Sequence, residues 1–447
     1  MNTKALRQKI LDLAIHGKLV PQDPNDEPAS VLLERIKAEK ERLIKEGKIK
    51  RTKRSKAACD KPHYPYELPK GWCWTTLGEI VKITNGRSQK DVEDKEGLYP
   101  IYGSGGIIGK ATEFLCEAGT TIIGRKGTIN NPIFVEERFW NIDTAFGMKP
   151  QYAISDKFFF FFCQHFDFSE LDKSTAVPSL TQSAINEIFI PIPPTNEQKR
   201  IVKEIIRCFS VVEILEKEKV DLQLTIEQAK SKILDLAIHG KLVPQDPSDE
   251  PATELLKRIN PKAEITCDNP QYGNLPKGWC ICRLKDMAKV ITGSTPSKSN
   301  KEYYGGNFPF YKPVDLDLGR HVNKASEYLT QAGKNVSRLV PPGTTAVCCI
   351  GSIGKVGFLE YEGTTNQQIN CAIPSECLDN VYLYYSCSSQ WFYSSLIAES
   401  SAVTISIVNK SKMENVVMPL PPLQEQHRIV AKIEELFTQL DKIEASL

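Results

Sequence analysis

Long apolar runs are missing from this sequence: the densest hydrophobic stretch, Phe158–Phe162, is five aromatic residues, far short of the ~18 that a membrane span requires. A membrane protein is therefore not expected, and the polar, helix-patterned N-terminus shows no signal peptide. The 13 cysteines contain no CxxC pair; Cys280 and Cys282 enclose one residue, and Cys348 and Cys349 adjoin. That spacing argues against a zinc ribbon, and the odd count against a secreted disulfide scaffold. Buried thiols in a reducing cytoplasm are the expectation. Charge of one sign is lacking too: 57 basic and 55 acidic residues leave +2 over 447 residues, which neither demands nor excludes nucleic acid.

Catalytic signatures are equally scarce. There are six histidines, no HExxH, no Ser-His-Asp pattern and no carboxylate–lysine cluster of the nuclease kind. Tyr102-Gly-Ser-Gly-Gly-Ile-Ile-Gly-Lys110 looks phosphate-friendly, but Ser104 stands where a Walker loop needs its first glycine, and Ala111 where a hydroxyl would hold magnesium. Nor does it fit GxGxxG, since Ile108 takes the third glycine position. Asn131-Pro-Ile-Phe134 resembles the Asn-Pro-Pro-Phe loop of adenine methyltransferases only in part, for the second proline and a glycine-rich cofactor strand are missing. The chain is expected to be no enzyme and to hold no metal or cofactor.

What is present is duplication. KILDLAIHGKLVPQDPNDEPASVLLERI at 9–36 recurs at 232–259 with four differences. LPKGWC at 68–73 returns at 275–280, Ala-Gly-Thr-Thr at 118–121 is matched by Pro-Gly-Thr-Thr at 342–345, and IPIPPTNEQKRIV at 190–202 by MPLPPLQEQHRIV at 418–430. Four blocks in the same order mean two copies of one large unit, spaced too widely for a solenoid.

Helical patterning fills the joints. Ile201, Ile205, Cys208, Val212, Leu215, Lys219, Leu222, Ile226, Ala229, Ile233 and Leu236 alternate steps of four and three, a heptad seam with one charged interruption. Ile429, Ile433, Leu436 and Leu440 repeat its first half, and Leu6, Ile10 and Leu13 its second. The spacing predicts one whole central helix and two partial ones at the chain ends, closing as two antiparallel coiled-coil arms with pseudo-two-fold symmetry. From Glu197 to Ile238 such a stem spans about 60 Å. Each stem ends at the glycine of HGKLVPQDP, with a second helix near Pro28 or Pro251. His16 and His239 read most simply as helix caps. Lys37–Lys56 is strongly basic: it reads as a solvated helix or, more sharply, as a phosphate-contacting arm.

The predicted divisions are 1–58 (spacer part and basic arm), 59–195 (first globular domain), 196–260 (central spacer), 261–421 (second globular domain) and 422–447 (C-terminal spacer helix). Segment 1–58 carries +7 and 59–195 carries −4. The globular parts mix short β-type runs with Gly/Asn/Ser turns and read as mixed α/β, an α+β chain overall, with Trp72 and Trp279 as core anchors. Their loops hold groups suited to DNA: Ser104 and Lys110; Arg125, Lys126, Thr128, Asn130 and Asn131; Thr295, Ser297, Lys298 and Lys312; Ser352, Lys355, Asn366 and Gln367. Arginine and lysine suit guanine edges or phosphates, and amides suit adenine. Taken singly, each is an ordinary polar loop residue; the argument is that both copies are rich in them at equivalent places.

These blocks resemble the specificity subunit of type I restriction–modification systems over essentially the whole chain. The resemblance rests on LPKGW in each copy, Tyr102–Gly109, Ile123–Ile129, and the proline-rich blocks leading into Glu197-Gln-Lys-Arg-Ile-Val202 and Glu425-Gln-His-Arg-Ile-Val430. It departs in the second copy, where Phe310-Tyr-Lys-Pro-Val-Asp315 replaces the glycine-rich loop. The resemblance implies two target-recognition domains on double-stranded DNA, held apart by a spacer that docks two methyltransferase subunits and recruits restriction–translocase subunits. S-adenosylmethionine, ATP and Mg²⁺ would then bind those partners. Strongly diverged domains on near-identical spacers predict an asymmetric, bipartite target with an unread gap. A coiled-coil scaffold without DNA specificity, or a self-sufficient methyltransferase or nuclease, are the alternative readings.

Overall fold

The computed structural model describes residues 2–47, 66–172, 178–265, 275–398 and 407–447. Met1–Glu218 and Lys219–Leu447 form two compact units. A single 44-residue helix, Thr195–Ile238, gives its first half to one unit and its second half to the other. This is the spacer helix that the heptad pattern predicts. Of the basic arm Lys37–Lys56, residues 48–56 lie outside the described residues.

In the first unit the N-terminal helix Thr3–Ile15 is capped by the Asn2 side chain, which accepts from the Ala5 N–H. It ends in a Schellman motif: Gly17, at φ +66°, and Lys18 donate back to the Ala14 and Leu13 carbonyls. Gly240 at φ +63° and Lys241 do the same in the second unit. The next helices are Ala29–Lys45 and Ala252–Ile259. Pro28 and Pro251 stand at their N-caps rather than inside the first turn, and the N–H groups of Ala29 and Ala252 instead reach the Gly71 and Gly278 carbonyls.

Each globular domain is joined to its stem by a two-stranded antiparallel ribbon made from its first and last strands. Cys73–Thr76 pairs with Phe189–Ile192, and Cys280–Arg283 with Val417–Leu420. Above the ribbon, the first domain has an antiparallel sheet ordered Val81–Asn85, Ala145–Pro150, Thr120–Gly124, Ile133–Val135. The second repeats it as Ala288–Thr292, Ile369–Pro374, Thr344–Cys348, Val356–Leu359. A smaller sheet accompanies each, built on a parallel pair: Tyr99–Gly103 with Trp140–Asn141, and Tyr304–Tyr311 with Gly363–Thr365. The domains are thus the same mixed fold, as the repeats imply.

The five-aromatic run lies in helix Asp156–His165, N-capped by Ser155, and Phe158, Phe159, Phe161 and Phe162 are buried. Each such side chain contributes about 1.5–3 kcal/mol by leaving water. Their core is continuous with Ile10, Leu11, Ala14, Ile201, Ile205 and Val212. The seam is therefore not a pure coiled coil: near the start of the spacer helix it is absorbed into the globular core. Ile429 and Ile433 do likewise in the second core. Further along, Leu13, Leu215, Ile233, Leu436 and Leu440 are half-buried and Ile226 is buried, while Leu6 and Leu222 are 37% and 38% exposed. Helix-to-helix ion pairs continue the contact, from Arg7 to Glu216 in one unit and from Lys230 to Asp441 in the other.

Candidate nucleic-acid interface

Three strand termini of the main sheet converge at one edge. In the first domain Asn85 and Gly124 end their strands where Ala145 begins the one between them. The Gly124–Asn131 loop leaves from this edge. Its geometry is fixed: the Arg125 N–H donates to the Thr144 carbonyl, the Arg125 carbonyl accepts from Leu180, and Gly127, at φ +80°, donates to the Pro178 carbonyl. Ile129 is buried beneath it. A Cβ on Gly124 would lie 1.9 Å from the Thr128 carbonyl and 3.2 Å from Ser104, so this close approach needs glycine. It brings Ser104, Arg125 and Thr128 together.

The expected loop Gly103–Lys110 is instead a β-hairpin, Tyr99–Gly103 with Gly106–Ala111, turning at Ser104 and Gly105. Glycine supplies the turn, with φ +126° at Gly106, so glycine richness here marks a tight reversal rather than a free loop. Lys110 lies exposed on its second strand. Lys126, Thr128 and Asn131 are exposed and Arg125 is half-exposed. Asn130 is exposed yet occupied: its amide donates to Asp167 and its carbonyl oxygen accepts from the Phe168 N–H. These bonds suit a positioning role rather than base contact.

The second domain repeats this edge, where Thr292 and Cys348 flank the start of strand Ile369–Pro374. Val408 donates to the Cys349 carbonyl as Leu180 does to Arg125, and Gly351, at φ +81°, matches Gly127. Arg125 is therefore equivalent to buried Cys349, and Thr128 to exposed Ser352. Ser297 and Lys298 are exposed, and the Thr295 hydroxyl bonds to the Gln367 amide. Asn366 is only 9% exposed and donates to Gln368, so it shapes the turn that presents Gln367. Lys312 pairs with Glu327 and Lys355 with Asp317. In place of the hairpin, the segment after Tyr311 runs into the 3₁₀ stretch Asp315–His321.

Two arginines at these edges carry no repeated motif and are legible only in the fold. Arg87, exposed just beyond Asn85, accepts from the Trp140 indole through its carbonyl. Arg338 donates to the Thr292 carbonyl at 3.0 Å and lies beside Ser294.

The repeated blocks meet away from this edge, at the domain–stem junction. Glu197 accepts from the Gln22 amide, and Arg200 pairs with Asp26, whose side chain is 6% exposed. Gln198 accepts from the Ser155 N–H and donates to the Pro193 carbonyl. In the second unit Glu425 accepts from Gln245 at 3.1 Å and from the Trp279 indole at 3.0 Å; Arg428 pairs with Asp249, and Gln426 accepts from the Asp379 N–H. Burial raises both Glu197 and Glu425 above the ordinary carboxyl range, against the hydrogen bonds that lower them. His16 and His239 cap their helices, each Nδ1 lying 2.7 Å from the carbonyl four residues back.

Comparison with known proteins agrees with this architecture. The model of the type I restriction modification DNA specificity domain matches residues 69–224 and again 276–447. The chain is 26% identical to the type I restriction enzyme EcoAI specificity subunit of Escherichia coli, over 98% of this chain and 90% of that protein. It is also 26% identical to the EcoEI specificity subunit of the same organism, over 99% and 90%. Among solved structures, the HsdS subunit from Thermoanaerobacter tengcongensis superposes with a TM-score of 0.52 at 19% identity, covering 86% of this chain and 93% of that one. A chain from a study of complex assembly and conformational transition of the type I R-M system gives 0.56 at 20% identity, covering 86% and 94%. Among the described residues no helix is long and apolar enough to cross a membrane. With both copies of the repeat matched by one domain model, the chain belongs to the type I restriction modification DNA specificity family.

Proposed function

We propose that this chain is the non-catalytic specificity subunit of a type I restriction–modification complex, each globular domain reading one half of a bipartite DNA target. The carrying observation is one edge built twice on the same backbone with different side chains. Arg125 and Lys126 in one copy are replaced by Cys349 and Ile350 in the other, so the halves read must differ. In this reading Arg125, Lys126, Thr128, Asn131, Arg87, Ser297, Lys298, Ser352 and Gln367 face DNA; Asn130 and Asn366 hold the loops that present them.

The buried seam positions, among them Ile10, Ile201, Ile205, Val212, Ile226, Ile429 and Ile433, serve contacts within the chain. Partner methyltransferase subunits would meet the apolar residues that the spacer helix leaves exposed: Ile206, Val211 and Ile214 in one unit, Val220 and Leu224 in the other. S-adenosylmethionine, ATP and Mg²⁺ would belong to those partners and to the restriction subunits. The experiment is deletion of the gene followed by methylome sequencing. One asymmetric, gapped adenine-methylation motif should vanish; an unchanged motif set refutes the reading.

A further inference from the structure

Asp12 and His16 stand one turn apart at the end of helix Thr3–Ile15, and His165 ends the aromatic helix packed against it. His16 Nδ1 is 3.2 Å and His165 Nε2 3.7 Å from the same oxygen, Asp12 Oδ1. The two imidazole rings stand edge to face, with centroids 6.0 Å apart. One donor atom from each of the three residues lies within 4.8 Å of the others. Metal–ligand bonds of about 2.0–2.2 Å set donors around one first-row ion at similar separations.

The duplication provides an internal comparison. Asp235 and His239 repeat the pair in the second unit at 3.3 Å, with the same bond to a helix carbonyl. Among the described residues, no third histidine, cysteine or carboxylate joins them. Helix capping therefore accounts for the pair in both copies and leaves His165 unexplained. That side chain is 23% exposed, so an ion can reach the ring from solvent. Lys9 binds Asp12 Oδ2 at 3.0 Å, which leaves Oδ1 toward the imidazoles.

We propose that Asp12, His16 and His165 bind a divalent transition-metal ion of the Zn²⁺ type, which clamps the N-terminal helix to the first domain. Two imidazoles and one carboxylate are the borderline donors such an ion takes, with solvent completing its coordination. Ligation through His16 Nδ1 exchanges the bond to the Asp12 carbonyl for the metal and moves the ring proton to Nε2. The positive charge of Lys9 opposes the ion, which predicts moderate affinity rather than the tight binding of a closed structural site.

The test uses the full chain, stripped with chelator, titrated with Zn²⁺ in a calorimeter and with Co²⁺ by visible absorption. One ion per chain and a Zn²⁺-dependent rise in melting temperature are expected. His165→Ala should weaken binding by more than the ~10–100-fold of a lost outer-shell partner and abolish the thermal shift. Asp12→Asn, which keeps the side-chain volume, should also weaken binding, whereas His239→Ala should leave both readouts unchanged. Circular dichroism without metal checks the fold of each variant. Failure of the unaltered chain to bind, binding that survives His165→Ala, or binding lost in His239→Ala overturns the site.

Discussion

Glu425→Ala should destabilise the second domain's junction by about 1–3 kcal/mol. Glu425 is 1% exposed and accepts from the Trp279 indole and the Gln245 amide. Alanine orphans one buried donor, the Trp279 indole, at about 1–3 kcal/mol; the exposed Gln245 amide keeps its bond to the Gly240 carbonyl. Glu425→Gln keeps the volume and one acceptor, so about 1 kcal/mol is expected at low pH. The two variants also separate on a pH axis. Burial raises the Glu425 carboxyl above the ordinary glutamate value of 4.5, so the folded state holds that proton more tightly than the unfolded chain. The associated stability is complete below pH 4.5 and is lost as pH rises through the folded value. Glu425→Gln cannot titrate, so it should gain on the parent protein from pH 4.5 toward neutrality. Urea unfolding at pH 5 and pH 7 gives the differences. Hydrogen exchange at the Ala252 N–H, bonded to the Gly278 carbonyl, locates the effect at the junction. A cost below about 0.5 kcal/mol for Glu425→Ala, or equal costs for the two variants, would refute the argument.

Gly240→Ala places a methyl 2.3 Å from Pro276 at φ +63° and should lower stability by more than about 1 kcal/mol; an unchanged melting curve would deny the helix stop its role. Arg125→Ala should weaken binding at one half-site by about 1–3 kcal/mol if the side chain reads a base. In a gel-shift assay with the reconstituted complex, an equal loss on every sequence would reassign it to phosphate contact. Asn130→Ala removes the bonds to Asp167 and Phe168 and should cost about 1 kcal/mol of binding without changing base preference. A selective loss at one base would instead make Asn130 a reader.

The duplication and the long helix were legible because they depend on local patterns: identical blocks and a repeating apolar step. The junction was visible as motifs, but not as bonds. Gln22 and Glu197 are 175 residues apart, and no spacing rule connects them. The glycine-rich Tyr102–Gly109 segment looked like a loop because the residues that permit flexibility also permit a tight hairpin turn. Lys312 and Lys355 looked free because the sequence does not show that Glu327 and Asp317 fold onto them. Arg87 and Arg338 carry no signal in the sequence, since neither lies in a repeated block, and only the convergence of strand ends brings them to the candidate edge. The equivalence of Arg125 with Cys349 is likewise a property of backbone hydrogen bonds, which the diverged side chains conceal.

The most direct test of the account is exchange of the first globular domain, residues 66–193, for the corresponding domain of another family member, read out by methylome sequencing. One half of the methylated motif should change while the other half and the gap stay as they were. A motif altered in both halves, or not altered at all, would contradict the assignment of one half-target to each domain.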